Sequence, residues 1–152
     1  MAIQIKSVET KGDFRKFAKF ANKLYKGNKY YVPAMPADEL ATFDRKRNAA
    51  YEFCEAEYYL AYKDGKIVGR VAAIINHKAN EAWKVNQVRF GWIDFIDDME
   101  VSAALLDAVC KFGKKHGMTQ IVGPLGFTDF DPEGMLVEGF DRLSTMALIY
   151  NY

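Results

Sequence analysis

The stretch FGWIDFIDDMEVSAALLDAVCKFGKKHGMTQIVGP, Phe90–Pro124, decides how the rest of the chain is read. It opens as an apolar strand, with Phe90, Trp92, Asp94 and Ile96 expected on one face and Gly91, Ile93 and Phe95 on the other. Val101, Leu105, Ala108, Val109 and Phe112 then recur at helical spacing. Lys114, Lys115 and His116 bring positive charge to the last turn, where the helix dipole favours it, and Gly117 ends the helix. TQIVGP follows directly as a short strand. Strand, helix and strand in this order predict a right-handed crossover between parallel neighbours.

The turn inside this unit carries Asp97, Asp98 and Glu100, with no glycine and no basic residue. Asp97 and Glu100, three apart, have the spacing of a capping box and are expected to close the free amides of the helix start. Acids there also suit the dipole, by about 0.3–1 kcal/mol. The functional alternative is a general base at the carboxyl end of a central strand, where open sheets gather their ligands.

Working outward, IQIKSVE alternates as a first strand, and Asp13 is expected to cap a helix from Phe14. Phe14, Phe17, Ala18, Ala21, Leu24 and Tyr25 form its apolar stripe, Arg15, Lys16, Lys19 and Lys23 its solvated face, and Gly27 its stop. Pro36 opens a short second helix. In AEYYLAYKDGKIVGRVAAIINH, Asp64-Gly65 fits a tight hairpin between two strands. The second of these, Lys66 to His77, is apolar on both faces apart from Arg70, as a central strand covered on two sides should be. Gly69 within it marks a bulge or a close neighbour. Lys78 to Gln87 reads as a polar loop, the tail as loop-rich, and TMALIYNY as a final strand.

At 152 residues, 50% hydrophobic and 14% aromatic, the chain is expected to form one domain, 1–152, with a substantial core. A net charge of +1 gives no field favouring nucleic acid or an anionic membrane, so neither is an expected partner. Cys54 and Cys110 lack metal spacing and fit reduced thiols in a cytoplasmic protein. DFDPEGMLVEGF mimics the start of a calcium loop, but Phe140 stands where the bidentate Glu is needed, so no metal is expected. GPLG lacks the Lys-Ser/Thr of a phosphate loop. The apolar end STMALIYNY points to a continuing protein or to a homodimer through this last strand.

The element order, together with GRVAAIINH, FGWIDFIDD, VSAALLDAV, GMTQIVGPLGF and GMLVEGFD, resembles the GNAT acyltransferase superfamily, and within it a bacterial family of longer proteins. The resemblance implies an α/β fold: a mixed sheet with a central parallel strand pair and flanking helices, here the amino-terminal portion of a longer chain. It implies acetyl-CoA, or another acyl-CoA, as co-substrate and an unidentified small-molecule or peptide amine as acceptor. The thioester arm would lie along Ile93, Asp94, Phe95 and Ile96, and the pyrophosphate against Met99, Val101 and Ser102 at the helix start. Glu100 or Asp97 would take the amine's proton, and Tyr150 would protonate the departing thiolate. The superfamily's pyrophosphate turn, Gln/Arg-x-x-Gly-x-Gly/Ala, is absent from DDMEVS. A non-catalytic GNAT-like module that binds a ligand or supports another domain is therefore the alternative implied.

Overall fold

The computed structural model describes residues 2–143 and 150–152. Five strands lie in one sheet in chain order: β1 (Gln4–Ser7), β2 (Cys54–Lys63), β3 (Lys66–Asn76), β4 (Gln87–Phe95) and β5 (Gln120–Val122). Pairing is antiparallel from β1 through β4, and β5 runs parallel to β4, as the crossover requires. The helices are α1 (Lys11–Leu24), α2 (Pro36–Phe43), α3 (His77–Trp83) and α4 (Met99–Lys115). Most of the expected TMALIYNY strand lies outside the described residues; Asn151 makes a parallel bridge to Met135.

The sheet is covered on both faces, which explains why β3 is apolar throughout. One core layer joins Phe17 of α1 and Phe43 of α2 to Tyr58, Leu60, Ile74, Trp92 and Phe127. The other packs Val101, Leu105, Val109 and Phe112 of α4 on Val71, Ala73, Ile75 and Ile93. Gly69 is the close neighbour its position suggested. A Cβ there would stand 2.8 Å from Leu105 Cδ1 and 3.0 Å from Val101 Cγ1, so α4 sits directly on the β3 backbone.

Three local readings change. Helix α1 starts at Lys11, not Phe14: Thr10 is the cap, and its hydroxyl and the Asp13 side chain form the reciprocal pair of a capping box. Residues 78–87 are not all loop, because Asn76 caps the short helix α3 by accepting from the Ala79 amide. The expected alternation in β4 also fails. Phe90 packs on the α4 side but Trp92 faces α1 and α2, while Ile93 and Phe95 return to α4. From Ala72↔Gly91 to Arg70↔Asp94, β3 advances two residues while β4 advances three, and the extra one is absorbed at Trp92 with φ 45°. This is a β-bulge, which no period-two pattern anticipates.

Candidate active site

The bulge sits where β4 loses its parallel partner. Only Gln87, Val88 and Arg89 pair with β5; one further bond, Leu125 N–H to the Phe90 carbonyl at 2.8 Å, follows before the two segments part. At Gly91 a Cβ would meet the Leu125 carbonyl oxygen at 2.8 Å, so glycine admits the departing chain. Beyond this point β4 continues to Phe95, held by β3 alone among the described residues. The result is a wedge between two parallel strands, with the start of α4 at its tip.

That tip answers the puzzle of the acidic turn. Asp98, not Asp97, caps α4: its Oδ1 accepts from the Glu100 amide at 2.9 Å. Backbone geometry puts the cap here, because Asp98 is the last extended residue before the helix. Its other oxygen accepts from Lys63 Nζ at 2.7 Å across the hairpin end of β2. Lys63 and the Glu100 amide together hold the Asp98 carboxyl below its ordinary range. The acid that most directly opposes an anion is thus partnered by a cation from the far end of a hairpin, which no local spacing announces. Asp97 and Glu100 are exposed beside it, as is Met99, whereas Val101 is buried under the sheet. Ser102 Oγ donates to the Met99 carbonyl.

On the α1–α2 face a cavity of about 190 Å³ lies against the exposed half of the wedge, lined by Tyr31, Val32, Trp92, Asp94, Tyr150 and Tyr152 among others. Its floor is charged. Arg70, the one polar residue of the β3 interior, is 3% exposed and donates through Nε to Asp94 Oδ2 at 2.8 Å. Its terminal nitrogens reach the Phe17 carbonyl at 2.8 Å and the two Glu39 oxygens at 3.2 and 3.4 Å. Tyr25 donates to Asp94 Oδ1 at 3.2 Å. Burial and the Asp94 charge push the Tyr31 hydroxyl up to about 12, and burial raises the Glu39 carboxyl against the pull of Arg70.

Of the residues singled out in the sequence, Asp94 and Tyr150 meet at this cavity, while Asp97, Glu100, Met99, Val101 and Ser102 cluster at the start of α4. Ile93 and Phe95 point into the α4 layer, with Ile96 packed beside them, leaving their backbone for the wedge. Glu39, Arg70 and Tyr25 were missed as site residues. The available signal was Arg70 itself, since a lone arginine in an all-apolar strand requires buried carboxylates. His77 and His116, far apart in sequence, share Glu55 at 2.7 and 3.4 Å. Among the described residues no group of three metal-ligating side chains is placed to hold an ion, and no helix is long and apolar enough to cross a membrane.

No family model matches the chain. An acetyltransferase of the GNAT family from Staphylococcus aureus superposes with a TM-score of 0.55 at 16% identity, over 82% of this chain and 74% of that one. A predicted acetyltransferase from Clostridium acetobutylicum, solved with acetyl-CoA, gives 0.52 at 11% identity, over 79% of each chain. This is the GNAT fold. In sequence, the GNAT-like chain is 31% identical over 137 residues to protein YghO of Escherichia coli K12, covering 90% of this chain and 35% of YghO. It is 25% identical over 135 residues to the bacterial ceramide synthase of Caulobacter vibrioides, covering 88% of this chain and 35% of that protein. The chain spans about a third of the length of these two curated relatives.

Proposed function

We propose that this chain is the acyl-transfer domain of an N-acyltransferase, 1–152 being the amino-terminal part of a longer protein, and that it passes an acyl group from acyl-CoA to an amine. The observation that carries the proposal is the wedge: a parallel β4–β5 pair that parts at a β-bulge, with a helix start at its tip. The GNAT neighbours support acyl transfer in general, and one of them was solved with acetyl-CoA. The ceramide synthase relative favours a long-chain amino alcohol as acceptor, since a ceramide is the amide of one.

The edge of β4 from Ile93 to Ile96 fits the amide-bearing arm of the co-substrate, because a strand released by its neighbour offers backbone groups on that side. The α4 turn fits the pyrophosphate less well. Asp98 already takes the Glu100 amide, and Lys63, Met99, Val101 and Ser102 supply no glycine-lined cradle. When bound, the co-substrate supplies an activated thioester carbonyl. The chain's own residues then orient the amine at the cavity, with Glu100 or Asp97 taking its proton and Tyr150 returning one to the thiolate.

Calorimetric titration with acetyl-CoA and with a long-chain acyl-CoA tests the reading. Micromolar to millimolar binding is expected, and thiol release should appear when sphinganine is added. An absence of heat with both at millimolar ligand would overturn it and favour the non-catalytic module. Glu100→Gln, Asp97→Asn and Tyr150→Phe, assayed in that order, separate the proton roles; a variant that retains full turnover loses its assignment.

A further inference from the structure

The charged floor of the cavity does not balance. Arg70 contributes one positive charge, and Asp94 and Glu39 together two negative ones. All three side chains are nearly sealed from water, at 4, 6 and 11% exposure. Arg70 spends its shorter bonds on Asp94 and the Phe17 carbonyl, and meets Glu39 only through the longer contacts described above. Asp94 has both oxygens engaged, by Arg70 and Tyr25. Glu39 is therefore the carboxylate with capacity left, and it lines the cavity. A buried excess charge must be neutralised by a proton or by a second cation.

The walls favour a cation. Tyr25, Tyr31 and Tyr152 pack against one another in tilted and edge-to-face pairs with ring centroids 4.7, 4.9 and 5.4 Å apart, and Tyr31 and Tyr152 line the cavity beside Trp92. Aromatic faces stabilise a desolvated ammonium through their quadrupoles. Of the remaining lining, Ala21, Val32, Pro33, Ala34 and Pro132 are apolar and suit the carbons that carry the amine, and Tyr150 and Asn151 complete the wall. Apolar cavities of ~150 Å³ admit a benzene-sized molecule, so 190 Å³ holds the amine end of an acceptor and not a large headgroup.

We propose that this cavity binds the protonated amine end of the acceptor, with the ammonium held by Glu39 and enclosed by Tyr31, Trp92 and Tyr152. The inference deepens the amine-acylation reading, but its binding test is independent of acyl transfer. The Glu39 carboxylate provides the charge, Arg70 and Asp94 fix its position, and the tyrosine cluster excludes water. The acceptors it selects are primary amines, in preference to alcohols or acids of the same length.

The test uses n-butylamine, n-butanol and butyrate as probes of the whole chain, without acyl-CoA, followed by NMR chemical shifts. Butylammonium is expected to shift the Trp92 indole and the Tyr31 and Tyr152 resonances, with an affinity at least tenfold above that of butanol, and butyrate not to compete. Glu39→Gln, which keeps an oxygen facing Arg70, should remove the amine-over-alcohol preference, whereas exposed Glu9→Gln should leave it intact. Equal binding of amine and alcohol by the unmodified protein overturns the proposal, as does full preference in a folded Glu39→Gln protein. If that variant does not fold, the probe selectivity of the unmodified protein decides alone. Amine selectivity without acyl-CoA binding would leave this site standing and remove the transferase reading; acyl-CoA binding without amine selectivity would do the reverse.

Discussion

Arg70 shows how a single residue organises a face of this molecule. Its side chain crosses from β3 to the carbonyl of Phe17 in α1, to Glu39 in α2 and to Asp94 in β4, and its guanidinium lies 5.2 Å from the Phe17 ring. Burial works against its charge, but Asp94 and Glu39 outweigh that and hold its proton more firmly than usual. Arg70→Ala leaves two buried carboxylates without their cation. We expect a loss of about 3–5 kcal/mol, read from urea unfolding midpoints. Glu39 gives a pH signature of known sign. Its folded pKa lies above the unfolded one, so its contribution is fully present in acid and is lost as pH rises through the folded value. The difference in unfolding midpoint between Glu39→Gln and the parent should therefore grow in favour of the variant as pH rises above the ordinary glutamate range. A flat difference would show that Glu39 is not desolvated in solution. Glu39 was not legible in the sequence because its burial is decided by an arginine 31 residues away.

At the scale of elements, the sequence was most readable where one element carries its own period and its own stops. The hairpin at Asp64-Gly65, helix α4 with its stop at Gly117, and the parallel partnership of β4 and β5 all stand where patterning put them. The misreadings share a cause: each depends on which residue is the last non-helical one, or on an insertion in register. Thr10 and Asp98 hold those cap positions one to three residues from the acids that drew attention, because an Asp inside the first turn and an Asp at the cap look alike in a string. Thr10→Ala tests the revised start of α1. It removes the acceptor for the Asp13 amide and should cost ~1 kcal/mol in thermal or urea unfolding, with the site's ligand preference unchanged. Asp13, whose carboxyl this box and Lys16 lower to about 2, supports the helix above its unfolded pKa and ceases to do so as pH falls through that lowered value.

For the molecule as a whole, the division of labour runs through the sheet. The α4 face is an apolar seam with Gly69 at its closest approach, while the α1–α2 face combines aromatic packing with the Arg70 floor and the cavity. The cavity's last wall arrives from the end of the chain. Asn151 is buried, donates twice to the Gly134 carbonyl at 3.0 Å and accepts from the Leu136 amide, which holds Tyr150 and Tyr152 in place. Asn151→Ala should weaken butylammonium binding severalfold while moving the melting temperature by only a few degrees, since it costs about one hydrogen bond of ~1 kcal/mol. Unchanged binding would show that the wall holds without it. The bulge at Trp92 carries one further consequence. Because it shifts the strand's phase by a single step, everything after it is addressed to the opposite layer from the one plain alternation would choose. Pairing the same residues without the bulge would deliver the Asp94 carboxylate beneath Leu105 and bring the Phe95 ring against Arg70, whereas deleting Trp92 would take out the extra step and leave Asp94 opposite Arg70. The inserted step is thus what divides the even-numbered run, sending Phe90 to the oily layer and Trp92 and Asp94 to the ionic one, so that one strand serves both.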